Sequence, residues 1–377
     1  MPLNAIDTTR QIQEAGEEAE VDEQEKLGQL ESLLIVFEMA GKAQDTVRSF
    51  LLNNINGGER YAIPFQEKIA SAYPCPQLEQ PFIKVATDGS QIARDKNSPK
   101  EFVAISVSVF KMNPSQNQIT PFFQTLLRTG RKLKWKGEKI DTDYLELLRD
   151  VRERSIALPF IRRERGCVVL FDGIIELFRA PAKTPGKRAV FKKYKFSLNL
   201  YRARNIPIAG YVDAPKGRTV VDMLELSLPA LEGAAHLHAP LFPDLDDFDL
   251  WAYLLQPGER SAVFQVQSPS SSFYTGDISI YEFFVNAQTK GRPRIARIEV
   301  PRYVAISKAH IDAIHATIIA DSMPTRGYPY SLHRAHELAE LTSEDKRLIE
   351  DRLALELRKR GICPHQKSRK QELKDLS

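Results

Sequence analysis

The stretch from Phe82 to Asp172 restricts the fold more than any other part of this chain. It opens with "PFIKVATDGS", an apolar run closing on Asp88-Gly89. Next comes "EFVAISVSVFKM", where Val103, Ile105, Val107 and Val109 alternate with Phe102, Ala104, Ser106, Ser108 and Phe110. A mostly β-branched run with few charges reads as a central strand. "NQITPFFQTLL" reads as a weaker third strand after a turn at Asn113 and Pro114. A helix from about Asp143 to Leu158 follows, then "GCVVLFDG", a second apolar run ending in Asp-Gly, at Asp172-Gly173. Three strands, a helix and a strand make an α/β order with an antiparallel start.

The remaining segments extend that pattern. Met1 to Glu25 is polar and rich in Glu and Gln, either a frayed helix or a disordered lead-in. "LGQLESLLIVFEMAGKAQDTVRSFLLNNI" carries apolar residues at helical spacing and stops at "NGG". "RAVFKKYKFSLNLYRARN" reads as a helix with a basic face, "IPIAGYVD" as a buried strand and "TVVDMLELSLPALEGA" as another helix. Proline and aspartate in "APLFPDLDDFDLWAYLLQPGER" mark an insertion or long loop. "SAVFQVQ", "ISIYEFFVN" and "PRIARIEV" form a second strand group, with closing helices near Lys308 to Ala320, Leu332 to Leu341 and Ser343 to Arg360. The expected division is an N-terminal acidic and helical segment (1–60), a main domain (61–361) and a charged flexible tail (362–377).

Composition excludes several classes. At 377 residues and 42% hydrophobic, the chain can bury a sizeable core. A net charge of +4 is too small for a polybasic nucleic-acid coat, although local patches remain open. Cys75, Cys167 and Cys363 lie far apart without CxxC spacing, which excludes a zinc knuckle and fits a reducing compartment. With no signal-peptide pattern and no run approaching the length of a membrane span, the expectation is a soluble cytoplasmic protein without membrane attachment.

Two strand-terminal carboxylates are the chemical signal. A single Asp-Gly most often starts a turn. Two copies, each closing an apolar run, point to a pair of carboxylates at one sheet edge, where glycine permits a sharp turn and close approach of a ligand. Brought side by side, Asp88 and Asp172 would repel unless a cation lay between them, and hard oxygen ligands favour Mg²⁺ or Mn²⁺ over zinc. The intervening helix offers Glu146 and Glu153, seven residues apart on nearly one face; periodicity does not separate them, and Arg149 can pair with either.

In this order "ATDGSQI", "VVLFDG", "AGYVDAPKGR", "ISIYEFFVN" with "RIARIEVPRYVA", and "GYPYSLHRAHELAEL" resemble the NurA nuclease family, over about Phe82 to Gly361. The resemblance implies an RNase H-like mixed sheet flanked by helices, with additional helical and strand insertions. It implies a metal site of Asp88, Glu153, Asp172 and His336, taking Mn²⁺ or Mg²⁺. Glu153 is preferred to Glu146 for its short spacing to the second aspartate, and His333 is a nearby rival to His336. The serine usual after the second Asp-Gly is Ile174 here. The implied activity is metal-dependent DNA hydrolysis, as a single-strand endonuclease and 5′–3′ exonuclease in end resection and repair. The implied partners are DNA, a second copy and a HerA-type hexameric translocase.

Basic segments "RTGRKLKWKGEK" and "KRAVFKKYK" nominate Lys132, Lys134, Lys192 and Lys193 for backbone contacts, with Trp135, Phe191 and Tyr194 as stacking surfaces and Tyr328 as a base stacker or gap filler. Two rival readings are a DNA-binding or assembly protein that has lost catalysis, and an actin-like nucleotide-binding ATPase. The second wants glycine-dense phosphate loops, which a chain with 19 glycines and no such loop lacks.

Overall fold

Residues 102–113 are β-branched or aromatic at most positions, and they form an uninterrupted twelve-residue strand. Its antiparallel partner, residues 118–129, returns through a short 3₁₀ turn in which Asn117 adopts a left-handed conformation (φ 48°). The computed structural model describes residues 4–54, 58–96, 98–135, 137–161, 166–177, 184–234, 241–288 and 291–364. The elements begin with α1 (Ala5–Lys42), α2 (Gln44–Asn54), β1 (Tyr61–Pro64), β2 (Ile83–Ile92), β3 (Phe102–Asn113) and β4 (Gln118–Thr129). A hairpin of two-residue strands, β5 (Lys134–Trp135) and β6 (Glu138–Lys139), precedes α3 (Thr142–Ile156), β7 (Cys167–Asp172), α4 (Pro185–Ala203) and β8 (Ile208–Asp213). Then come α5 (Thr219–Ser227), α6 (Asp247–Leu254), β9 (Phe264–Gln267), β10 (Ile280–Asn286) and β11 (Ile295–Pro301). The helices α7 (Arg302–Ala305), α8 (Lys308–Ser322), α9 (Tyr330–Ala339) and α10 (Ser343–Lys359) follow.

The frame is a mixed nine-stranded sheet flanked by helices, and the chain divides into two compact units. The unit made of Pro76–Tyr211, Phe273–Ser279 and Glu299–Ser377 carries the strand order β8-β7-β2-β3-β4. Strands β2, β7 and β8 run parallel, while β3 pairs antiparallel with β2 and β4 antiparallel with β3. An antiparallel meander, then a helix, a parallel strand, a second helix and a further parallel strand is the RNase H-like arrangement. On one face, Tyr144 and Leu145 of α3 pack with Val103, Ile105 and Val107 of β3.

The other unit comprises Met1–Cys75, Val212–Ser272 and Ile280–Ile298. Its core joins Leu33, Phe37, Val47 and Leu51 from α1 and α2 to α5, α6 and β9. Trp251 of α6 stacks on Phe284 at 5.5 Å and meets Phe37 edge-on at 5.7 Å. Helix α1 therefore has two parts. From Thr9 to Glu25 every side chain is exposed, whereas Leu33 to Ala40 contribute core residues. The lead-in is thus helical, and the single apolar helix expected after it is two helices, broken at Ala43.

The stretch read as a long loop contains α6. Its aspartates write a helix start: Asp246 accepts the Asp249 N–H while Asp249 accepts the Asp246 N–H, a reciprocal cap. Among the described residues, no helix is long and apolar enough to cross a membrane.

Candidate metal centre

The register that pairs β2 with β7 builds the site. It runs from Ile83 opposite Cys167 to Thr87 opposite Phe171, so the next step along each strand sets Asp88 beside Asp172. Strand β7 stops there: Gly173 takes φ +79°, and its N–H donates to the Tyr211 carbonyl at 2.8 Å. Strand β2 does not stop. It continues through Gly89 and Ser90 to Ile92, so the turn expected at the first Asp-Gly is absent. Gly89 is needed for closeness instead. A Cβ there would lie 2.9 Å from Arg149 Cγ and 3.1 Å from Glu153 Oε2, so the missing side chain lets α3 settle onto the strand beside Asp88.

His336 completes the cluster from α9. It stands in the last turn of that helix. Two contacts fix α9: Ser108 Oγ donates to the Ala335 carbonyl at 2.6 Å, and the Asp321 carboxylate accepts from both N–H and hydroxyl of Ser331. His336 Nδ1 then lies 2.8 Å from Asp88 Oδ2. Ligand atoms of Asp88, Asp172 and His336 all fall within 4.8 Å of one another. His333, three residues earlier, faces away and pairs with Glu337 at 3.5 Å.

Glu153 sits at the edge of this cluster and is bound to something else. It is 3% exposed and accepts from Arg154, itself 2% exposed. Burial pushes its pKa up to about 8, with Arg154 opposing and the Asp88 charge adding to the rise. Arg154 also donates to the Ile174 carbonyl at 2.7 Å and lies 4.8 Å over the Phe171 ring. It thereby ties α3 to the chain just past Asp172, and no local sequence signal marks this role. Glu146 is half-buried and lines the same cavity, of about 690 Å³, as Asp88, Arg149, Glu153, Asp172 and His336.

Tyr328 belongs to the site through its hydroxyl, which donates to Asp172 Oδ1 at 3.4 Å, while its ring meets Tyr211 edge-on at 5.4 Å. The approach is shaped by two left-handed residues, Arg326 (φ 58°) and Gly327 (φ 113°). A Gly-Tyr-Pro signal marks the turn, but nothing in the sequence shows that the phenol reaches a carboxylate.

Two carboxylates and an imidazole fit a divalent cation, and the electrostatics agree. Burial raises the pKa of Asp172 and the Asp88 charge raises it further, against the opposing pull of His336. Partial burial disfavours the charged form of His336, yet its hydrogen bond to Asp88 and the nearby carboxylates outweigh this and hold its pKa above the usual imidazole range. The pair of aspartates is thus already calling for positive charge.

Of the proposed DNA contacts, Lys132, Lys134, Lys192 and Lys193 are exposed. The Trp135 side chain lies outside the described residues. Tyr194 is not a stacking surface: it is fully buried and donates to the Ile175 carbonyl at 2.6 Å, and Phe191 is 4% exposed. Helical periodicity explains this. Phe191 and Tyr194 are three apart on the inward face of α4, while Lys192 and Lys193 point outward.

A family model, the NurA domain, matches residues 132–341. Glu153, Asp172, Tyr328 and His336 fall inside the match and Asp88 precedes it. No curated protein sequence matches the chain. Among solved structures, the crystal structure of Drosophila Piwi is similar at a TM-score of 0.31 and 11% identity. That similarity covers 70% of this chain and 30% of the Piwi chain.

Proposed function

The chain belongs to the NurA family of nucleases, and on that premise we propose a metal-dependent deoxyribonuclease whose centre is Asp88, Asp172 and His336 with Glu153 beside them. The observation that carries this reading is the convergence of the three ligand atoms within 4.8 Å from two strands and a helix far apart in sequence. A bound Mn²⁺ or Mg²⁺ would lower the pKa of a coordinated water and offset charge on the leaving oxygen of a phosphodiester.

The chain's own side chains prepare that centre. The hydrogen bond from Tyr328 holds Asp172, the contact with His336 holds Asp88, and the Gly89 N–H donates to Asp88 Oδ1 at 2.7 Å. Both carboxylates are thereby oriented before substrate arrives, which limits reorganisation during the reaction. The family resemblance supports single-strand endonuclease and 5′–3′ exonuclease action in end resection. It also supports a cytoplasmic homodimer working with a HerA-type translocase.

The test is digestion of labelled single-stranded DNA with Mn²⁺, Mg²⁺ or EDTA, by the wild type and by Asp88→Asn and Asp172→Asn. Each substitution keeps the side-chain shape and removes the ligand charge. Metal-dependent cleavage is expected in the wild type, with loss of orders of magnitude in both variants at unchanged circular dichroism. Cleavage by either variant at the wild-type rate rejects the assignment.

A further inference from the structure

The metal cavity has the wrong charge for holding a nucleic acid. Its lining carries six carboxyl groups, Glu153 with its raised pKa among them, against Arg149, Arg154, Lys187 and His336, so acidic groups outnumber basic ones and disfavour a polyanion until metal is bound. The grip must lie elsewhere. In the same unit, a second cavity of about 550 Å³ is lined by Arg94, Lys100, Lys134 and Lys139 against the single carboxylate of Glu101. A third, of about 250 Å³, shares Arg94 and Lys139 with it and adds Lys96 and the carboxylate of Asp141.

Two features go beyond an ordinary solvated basic surface. Lys134 and Lys139 are directly paired across the β5–β6 hairpin, a like-charge pairing that destabilises a hairpin unless an anion lies between the two ammonium groups. Arg94 gives one nitrogen to Glu101, while its Nε and Nη1 are buried without a partner among the described residues. The side chain is partly exposed, and a guanidinium with two donors unmatched in the protein is suited to a phosphate oxygen once it turns outward.

The position also fits a strand leading to the centre. Arg94 follows Asp88 by six residues along β2 and its extension, a span of about 20 Å at most. We propose that Arg94, Lys100, Lys134 and Lys139 form a phosphate-backbone subsite that holds a DNA strand a few nucleotides from the metal centre. The subsite rests on the reading of DNA as substrate and specifies where the strand is held.

The experiment is fluorescence anisotropy of a labelled thirty-nucleotide oligothymidine with the full chain in EDTA, across a salt series. Binding without metal separates the subsite from the reaction. The double variant Arg94→Gln/Lys139→Gln should weaken binding and flatten the plot of log affinity against log salt by about 0.7 per lost contact, about 1.4 in all. Arg94→Lys/Lys139→Arg keeps the charges and should retain the wild-type slope; thermal melts check folding of both. Wild-type affinity and slope in the glutamine pair overturn the subsite, as does failure of the wild type to bind. A wild type that binds with the expected slope but does not cut DNA with Mn²⁺ would reject the nuclease reading while the subsite stands.

Discussion

Gly89→Ala is the most discriminating single change available, because it adds one methyl group between two elements that carry the site. The new Cβ would lie 2.9 Å from Arg149 Cγ, 3.1 Å from Glu153 Oε2 and 3.3 Å from Arg149 Cδ. Arg149 Cγ is near the root of its side chain, so it does not swing clear as a terminal atom would. Relief to ordinary contact requires α3 to retreat by about 0.5 Å, the tolerance within which a catalytic constellation must be held. Overpacking of this kind costs about 1–3 kcal/mol, and a displacement near 1 Å can cost about a hundredfold in rate. The expected result is a loss of ten- to a hundredfold in Mn²⁺-dependent hydrolysis with a modest fall in Tm. Gly173→Ala is the matched control: its Cβ would meet nothing within 4 Å but the backbone sits at φ +79°, so strain of about 1–3 kcal/mol acts on stability first. Wild-type kcat in Gly89→Ala at wild-type Tm would show that the strand glycine does not set the α3 distance.

Three further outcomes follow from particular contacts. Glu153→Gln should lower Tm above the pKa of about 8 at which Glu153 becomes the charged partner of Arg154, because breaking a buried ion pair costs about 3–5 kcal/mol, and should abolish hydrolysis, whereas Glu146→Gln should do little to either. The double variant Glu153→Gln/Arg154→Met separates the roles: stability should recover and hydrolysis should not, and recovered hydrolysis would reduce Glu153 to a partner for Arg154. Asp247 predicts a pH effect. Burial and the neighbouring Glu282 push its pKa up to about 7, against about 3.9 in the unfolded chain. The folded state therefore holds a proton that the unfolded state has lost, and stability falls as pH rises from about 4 to about 7 by up to about 4 kcal/mol. Asp247→Asn keeps an acceptor for the Val220 and Val221 N–H groups and should flatten this component in urea titrations at pH 5 and pH 8; an unchanged difference between the two pH values would remove Asp247 as its source. Finally, deletion of residues 1–50 would remove Leu33, Phe37 and Val47 from a core and unfold that unit. Deletion of residues 1–24 should leave circular dichroism per residue and Tm nearly unchanged and reduce self-association in analytical ultracentrifugation, and a truncated chain that self-associates as the wild type does would exclude the exposed part of α1 from the interface.

What the sequence made legible follows from which physical signals are local. Strands β2, β3 and β7 could be read because β-branched, apolar runs have few alternatives, and their order around α3 limits the sheet to few topologies. Helix α6 was lost because Asp and Pro mark loops and helix caps alike, and only the reciprocal bonds of Asp246 and Asp249 separate the two. The core role of α1 and α2 was equally hidden, since a helix that covers its own unit and one that meets a partner have the same periodicity. The inward turn of Tyr194 follows from the helical period, which the charges around it mask.

The two Asp-Gly pairs make the same point most sharply. They are identical as dipeptides and opposite in use: at Gly173 the glycine supplies a backbone angle, and at Gly89 it supplies empty space for Arg149 and Glu153. The first need is set by the chain itself and the second by a helix that arrives from some sixty residues later. A local pattern can therefore nominate both carboxylates, since each ends or crosses the same sheet edge. Which glycine turns the chain and which admits a neighbour is decided only when α3 packs. The same packing selects Glu153, because the helix face that reaches Gly89 is the one on which Arg149 and Glu153 lie four residues apart.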